Sequence, residues 1–343
     1  MKKLISLFVI FLMLFTACEN KDTNIPDDNN NNNQNEYSIE DYFPIEENTK
    51  YSYEGEGNEF ATYTVFIDYI NNNRFQTREN NGGSEIIRVY EFQENQLVEL
   101  YTRGETYFRE DFTNREFQGG KVLLKDPLNE GSTWTSEGLS SKVTELSKQI
   151  VTPGGNVTAI EVTTESDQGT TTNYYSIDVG LVKTINKGEG YEVSSTLSTI
   201  EQNVPLIQTV TLYYPNIDGI HLDSIDVQIS FNTNDLTKDV IEKTVKDLSV
   251  YELFSTNTKI NELYFDENDN SVHIDLSKDF IDEMNAGAGF ENLILQSVAN
   301  TLGSYYGVEN IYITIDGNLY ESGHITLIEN EPLKADYSNV NIQ

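Results

Sequence analysis

The stretch Tyr63-Thr64-Val65-Phe66-Ile67-Asp68-Tyr69-Ile70, closed by Asn71-Asn72-Asn73, decides the fold of the first half of this chain. Tyr63, Val65, Ile67 and Tyr69 fall on alternate positions, the period of a strand whose successive side chains point to opposite faces. Three asparagines in a row break that pattern and read as a turn. The same alternation recurs outward from here. Residues 80–83 make the next turn and 86–92 the next strand. Strands at 97–102 and 107–112 follow on either side of Arg103-Gly104-Glu105. Residues 122–125 and 131–135, the latter with the only tryptophan, Trp134, continue the series. Residues 143–151 and 157–165 flank Pro153-Gly154-Gly155, a hairpin turn. Strands at 173–177, 181–185 and 191–200 complete it. Strands at roughly 10–12-residue spacing with turn residues between them predict an all-β antiparallel meander without helices over 37–204.

Near Val204-Pro205 the period changes. Residues 210–214 read as a strand ended by Pro215, and 225–231 as another. Leu236, Val240, Ile241, Val245, Leu248 and Tyr251 then lie on one face at helical spacing. Asn234 is the expected N-cap, with Asp235 and Asp239 near the positive helix end. Residues 260–266 and 272–276 form a hairpin across Asn268-Asp269-Asn270. Ser277 can cap a second helical region at 279–284. It breaks at Gly287 and Gly289 and resumes as Phe290, Ile294, Val298, Leu302 and Tyr305, with Gly307 as a left-handed C-cap. Strands at 311–315 and 324–328 close a last hairpin over Asp316-Gly317. The expected second domain, 205–335, is α+β: two helices packed on a small mixed or antiparallel sheet. A tail covers 336–343.

The N-terminus carries Lys2 and Lys3, an apolar run from Leu4 to Phe15, then Thr16-Ala17-Cys18. A positive start, a short apolar run and small residues make a secretory signal. The run is short of the roughly 20 residues a membrane-crossing helix needs. Cys18, the only cysteine, directly follows the small residues and resembles the bacterial lipobox. That resemblance implies cleavage before Cys18, a signal peptide over 1–17 and lipid on Cys18. Once acylated, Cys18 leaves the chain without a thiol, hence without a disulfide, a cysteine zinc site or a thiol nucleophile. Residues 18–36 hold the run Asn29 to Asn33. They are too polar to bury enough apolar surface to offset their ordering entropy, so a disordered tether is expected.

The net charge is −34; beyond residue 17, 20 basic residues face 56 acidic ones, leaving −36. Such a balance excludes nucleic acid as a partner, since phosphate binding needs clustered Lys and Arg. It also excludes adhesion to anionic lipid by charge, so the expected membrane link is the lipid on Cys18 and the expected place is the outer face of the cell membrane. Only 37% of residues are hydrophobic, but 21 Tyr and 16 Phe can build aromatic cores.

Two resemblances add to this reading. Tyr42-Phe43-Pro44-Ile45, the run from Pro127 to Trp134, and Tyr174-Tyr175 with Gly180-Leu181-Val182-Lys183 resemble the β-rich N-terminal part of some Gram-positive lipoproteins. They imply no chemistry; Gly131 and Gly180 supply turns. The second half resembles the GerMN domain of sporulation and spore germination. The match lies in Val210-Thr211-Leu212-Tyr213-Tyr214-Pro215, Asp275-Leu276-Ser277, the run Gln296 to Leu302, and Ile313-Thr314-Ile315-Asp316-Gly317, with Gly323-His324 and Glu331-Pro332-Leu333 behind it. It implies a ligand-less interaction module of extracytoplasmic lipoproteins, present here once.

Candidate chemistry is sparse. Asp266-Glu267-Asn268-Asp269-Asn270-Ser271 starts like a calcium loop. It has Ser271 where position six needs Gly and Ser277 where position twelve needs a bidentate Glu, so a plain hairpin turn without metal is expected. His221, His273 and His324 stand at no metal-ligand spacing. Gly119-Gly120-Lys121 lacks the rest of a phosphate loop. Asp275, Thr301 and Asp316 match GerMN motif positions. Structural roles are expected for them: Asp275 ahead of a helix cap, Thr301 bonding back within its helix, Asp316 in a hairpin turn. No catalytic, cofactor or metal residue is assigned. The expectation is a lipid-anchored, non-enzymatic scaffold that binds another envelope protein in sporulation or spore germination. The alternative is a binder of a small ligand or cell-wall glycan, held between the two halves.

Overall fold

In the computed structural model, residues 37–248 and 253–341 are described. The signal peptide 1–17, Cys18, the tether 18–36, Tyr251 at the end of the first expected helix, and the last two residues of the tail lie outside them.

Twelve strands form one antiparallel sheet. They are β1 (Lys50–Glu56), β2 (Tyr63–Asn71), β3 (Arg74–Asn80), β4 (Glu85–Gln93), β5 (Gln96–Arg103), β6 (Lys121–Lys125), β7 (Thr133–Ser136), β8 (Leu139–Thr152), β9 (Gly155–Ser166), β10 (Gly169–Ser176), β11 (Gly180–Gly188) and β12 (Tyr191–Glu201). Their spatial order is β6-β5-β4-β3-β2-β1-β12-β11-β10-β9-β8-β7. The chain therefore winds out from β1 to β6, crosses to β7, and winds back until β12 pairs with β1, Lys50 opposite Glu201. The sheet curls like a barrel until its edges meet. Trp134 Nε1 of β7 donates to the Val122 carbonyl of β6 at 3.0 Å, and Val122 N–H donates to Ser136 Oγ at 2.9 Å. Side chains, not a strand ladder, close that seam and cover two edges that would otherwise offer unpaired backbone groups.

The meander follows the alternation, but β2 is buried on both faces. Val65 and Ile67 line the barrel interior. Asp68 and Phe66 are buried as well; the outer side of β2–β4 carries the segment 106–112 and, with it, the second half of the chain. A bulge between Ile67 and Tyr69 re-aims the strand at that point.

In the second half, β13 (Leu206–Pro215) and β14 (Leu222–Phe231) form a hairpin, followed by α1 (Thr237–Asp247). A second sheet joins β15 (Ile260–Asp266), β16 (Ser271–Leu276), β17 (Asn310–Ile315), β18 (Asn318–Leu319) and β19 (Leu333–Lys334). Between β16 and β17 run α2 (Asp279–Asp282) and α3 (Ala288–Tyr306). This crossover makes β16 and β17 parallel, while β15–β16, β17–β18 and β17–β19 are antiparallel, so the sheet is mixed. Gly307, at φ 68°, closes α3 as the expected left-handed cap.

One apolar cluster runs across the junction of the halves. It joins Ile87 and Val89 of β4, Phe108 and Phe112, Phe231, Ile274, Leu302 and Tyr306. At its rim, Asn48 N–H donates to Thr233 Oγ1 and Thr233 N–H to Asn48 Oδ1, both at 2.8 Å, while Val204 N–H donates to the Asn48 carbonyl at 3.0 Å.

Several local expectations are corrected. Residues 107–112 are not a strand. They form an irregular segment whose Phe108, Arg109 and Phe112 are buried, because its backbone groups serve the junction and not a ladder. Two short 3-10 turns, Glu40–Tyr42 and Glu59–Ala61, interrupt the otherwise helix-free first half. Asn234 is no N-cap: it sits at φ 69° and its Oδ1 accepts from Ile70 N–H at 2.8 Å, while α1 starts after Leu236. Ser277 Oγ accepts from Lys259 N–H at 3.0 Å and does not cap α2, which follows Lys278. Gly287 precedes α3 but Gly289 lies inside it. Residues 324–328 are no strand; Asp316-Gly317 turns β17 directly into β18.

Candidate functional site

The barrel encloses a cavity of about 420 Å3. Its aromatic wall is Tyr51 and Tyr53 on β1, Tyr63 on β2, Tyr90 on β4 and Tyr175 on β10. Tyr53 and Tyr63 stack at 4.6 Å. Phe43, following the 3-10 turn at Glu40–Tyr42, packs on Phe75, Tyr90 and Tyr175 and closes part of the interior with Pro44 and Ile45. Phe60, 51% exposed yet part of the lining, stands at the mouth. Asn58 fixes that turn by accepting from Phe60 N–H at 2.7 Å.

Polar groups enter the same space. Arg88 of β4 donates to Glu79 Oε2 at 2.6 Å and lies 3.7 Å from Glu99 Oε2. Burial alone would lower the Arg88 pKa; Tyr90, Glu79 and Glu99 outweigh it and hold the guanidinium charged. Lys121 shares the lining and makes no ion pair among the described residues. On the opposite wall Thr171 Oγ1 donates to Asn186 Oδ1 and Thr184 Oγ1 to Asn173 Oδ1, each at 2.8 Å. Both amide NH2 groups are left unspent by these bonds. Tyr53 donates to the Leu181 carbonyl at 2.9 Å. The Tyr51 and Tyr63 hydroxyls have no hydrogen-bond partner among the described residues. Burial pushes Tyr63 well up, and burial with Glu46 pushes Tyr51 to about 12, so both stay protonated near neutral pH.

The junction between the halves, the other candidate place for a ligand, is filled. Asp68 Oδ2 accepts from Arg78 Nε at 3.1 Å and Gln76 Nε2 at 3.2 Å. Arg78 also donates to Glu85 at 2.7 Å and to the carbonyls of Thr106 and Phe108 at 2.6 and 2.8 Å. Arg109 donates to the carbonyls of Asp68 at 2.6 Å, Asn232 at 3.0 Å, and Asp235. Its guanidinium lies over Tyr69 and Phe231. Thr237 Oγ1 donates to the Arg109 carbonyl at 2.6 Å, and Arg109 N–H donates to the Tyr305 hydroxyl at 3.1 Å.

The residues singled out in the sequence do not converge on one site. Asp275 does not lead into a helix cap. Its Oδ1 accepts from Thr314 Oγ1 at 2.6 Å and Gly317 N–H at 2.8 Å, and its Oδ2 from Asn261 at 2.9 Å. It thereby clamps the turn that Asp316 and Gly317 make at φ 47° and 73°. Thr301 does not bond within α3; its Oγ1 accepts from Tyr213 N–H at 3.1 Å and pins β13. Gly120 packs against Val98. His221 lies 3.4 Å from Asp223, and His324 sits in a loop. Asp266, Asp269 and His273 bring one ligand atom each to within 4.8 Å of one another, the group among the described residues that could hold a cation. Asp266 accepts from Asn268 N–H and Nδ2 at 2.8 Å, and Ser271 Oγ lies 3.2 Å from His273 Nε2. Their partnership follows from the register, which sets Asp266 opposite Ser271, two positions from His273.

On the face of the second sheet away from α3, Tyr264, His273 and Tyr312 stand in register. His273 stacks on the two tyrosines at 4.9 and 4.7 Å, and Tyr264 is 41% exposed. The lumen and this row went unread in the sequence, since only cross-strand register brings their residues together.

Residues 211–321 match the family model Germane, sporulation and spore germination, so the chain carries a GerMN-type domain there. Two solved structures are similar to the chain. One is a protein described as exported, with a YmcC-like fold, from Bacteroides fragilis NCTC 9343, at 11% identity and TM-score 0.30, covering 47% of this chain and 98% of that one. The other is a protein described as a lipoprotein from Parabacteroides distasonis ATCC 8503, at 13% identity and TM-score 0.26, with the same coverages of 47% and 98%. No curated protein matches the chain.

Proposed function

We propose that this chain is a lipid-anchored, non-enzymatic protein of the outer face of the cell membrane, acting in sporulation or spore germination, whose Germane domain docks on another envelope protein. The Germane match carries this reading. The lipobox-like run ending at Cys18 supports the anchor. The stacked row Tyr264, His273 and Tyr312 supplies a docking face of the composition that interfaces favour. Co-purification from detergent-solubilised membranes of sporulating cells tests it. The wild-type chain should retain a stoichiometric protein, and Tyr264→Ala with Tyr312→Ala should lose it while remaining folded. If the double variant retains every bound protein, the docking role lies elsewhere. Cys18→Ala should leave the protein unprocessed or released; a variant that stays membrane-bound at mature size overturns the anchor.

A second reading, ligand binding, is favoured by the barrel cavity. At about 420 Å3 it falls in the range of small-molecule pockets.

A further inference from the structure

We infer that the barrel lumen binds an uncharged, hydroxyl-rich molecule of the class of a mono- or disaccharide, a proposal that rests on the ligand-binding reading above. The argument is one of unspent bonding capacity. Arg88 and Lys121 face Glu79 and Glu99, so the four charges in the lining cancel. A cationic ligand would compete with Arg88 for its two carboxylates, and an anionic one could pair only with Lys121 while lying against Glu79 and Glu99. An aliphatic ligand fares no better: it would displace water from the Tyr51 and Tyr63 hydroxyls, from Lys121 and from the amides of Asn173 and Asn186, and give nothing back.

What remains is a neutral ligand whose own groups both donate and accept, and the hydroxyl does both. Free donors are Lys121, the Asn186 amide and the Arg88 N–H groups beyond those aimed at Glu79 and Glu99, while the Asn173 amide also serves Tyr175. Free acceptors are the outer lone pairs of those two carboxylates. Tyr51 and Tyr63 can act either way. Between these polar groups lie the half-buried rings of Tyr51 and Tyr63, apolar plates against which the C–H face of a sugar ring can lie. Phe60 at the mouth adds one more.

The test is calorimetry on the chain from residue 37 onward, with N,N′-diacetylchitobiose, maltose, decanoate and spermidine as separate probes. A neutral sugar should bind at one site, with an affinity unchanged between low and high salt, because no net charge is paired. Tyr63→Phe removes one hydroxyl and keeps the ring, and should weaken binding by roughly 3- to 10-fold. Binding of decanoate or spermidine without either sugar overturns the ligand class while leaving the lumen a ligand site. Binding of no probe overturns both. Sugar binding indifferent to Tyr63→Phe and to Asn173→Ala places the site outside the lumen and overturns the proposal.

Discussion

Arg109 meets Asp68 where neither is exposed to solvent: Nη2 donates to the Asp68 carbonyl at 2.6 Å, while Nε stops 3.5 Å short of Oδ1. Asp68 Oδ1 and Arg109 Nε are both left without a hydrogen bond among the described residues. One carboxylate thus lies between two arginines, Arg78 and Arg109. Arg109 is held by carbonyls from both halves of the chain and by two aromatic faces.

Removing that guanidinium should be severe. Arg109→Met is expected to cost about 3–5 kcal/mol, because it strips buried carbonyls of their donor and leaves Asp68 to Arg78 and Gln76 alone. Arg109→Lys should recover little, since a single ammonium cannot reach carbonyls on separate segments as the planar fork does. Denaturant unfolding measures both; a loss below about 1 kcal/mol would show the junction to be held by its apolar cluster instead.

Stability should also fall at alkaline pH through Glu110. Burial pushes its carboxyl from an ordinary 4.5 to about 8; Phe265 N–H and Arg115 oppose this, while Asp111 and Glu267 add to it. The folded state holds this proton more tightly than the unfolded chain. Its contribution is therefore complete below pH 4.5 and lost as pH rises through about 8. Glu110→Gln should flatten the melting temperature between pH 5 and 9 (roughly the span between the two pKa values). An unchanged slope in the variant would assign the pH dependence to other groups.

The barrel seam is testable at one carbonyl. Trp134→Phe keeps an aromatic ring but orphans the Val122 carbonyl, for an expected loss of about 1 kcal/mol. Ser136→Ala removes the acceptor of Val122 N–H. Since both bonds end on Val122, the double variant should lose less or more than the sum of the singles. Strict additivity in unfolding free energy would mean that the two contacts close the seam independently.

Much of this architecture is legible in the sequence, and the failures have physical causes. The alternation at 63–70 gives β2 because strand period survives burial on both faces. The segment 107–112 carries strand-forming aromatics between turn residues as well, yet its Arg109 takes carbonyl partners from distant loops, and those contacts override the local signal. Asn234 looks like a cap by position but spends its side chain on Ile70 across the junction. Nothing local announces that. The lumen depends on which strands share the interior of a closed sheet, and register of that kind is set by pairing over more than a hundred residues, as between Lys50 and Glu201.

Asp275 offers a prediction on the Germane side. Burial alone would raise its pKa, but hydrogen bonds from Thr314, Gly317 and Asn261 outweigh it and hold the carboxyl below its usual range. Its stabilisation is present above the unfolded value of 3.8 and is lost as pH falls through the lower folded one. Asp275→Ala should cost about 1–3 kcal/mol at neutral pH and less in acid. A penalty independent of pH would show that the turn holds without the carboxylate.

Asn48 bonds at once to Val204 and to Thr233. The chain thus leaves this residue to build twelve strands and returns to it before entering the Germane half. Mechanically, a pull between residue 37 and the second sheet enters the barrel through Phe43, which packs on Phe75, Tyr90 and Tyr175. It leaves through the bonds at Asn48, the carbonyls that Arg109 holds and the shared apolar cluster together. The two halves would therefore yield as one body under tension, not one after the other.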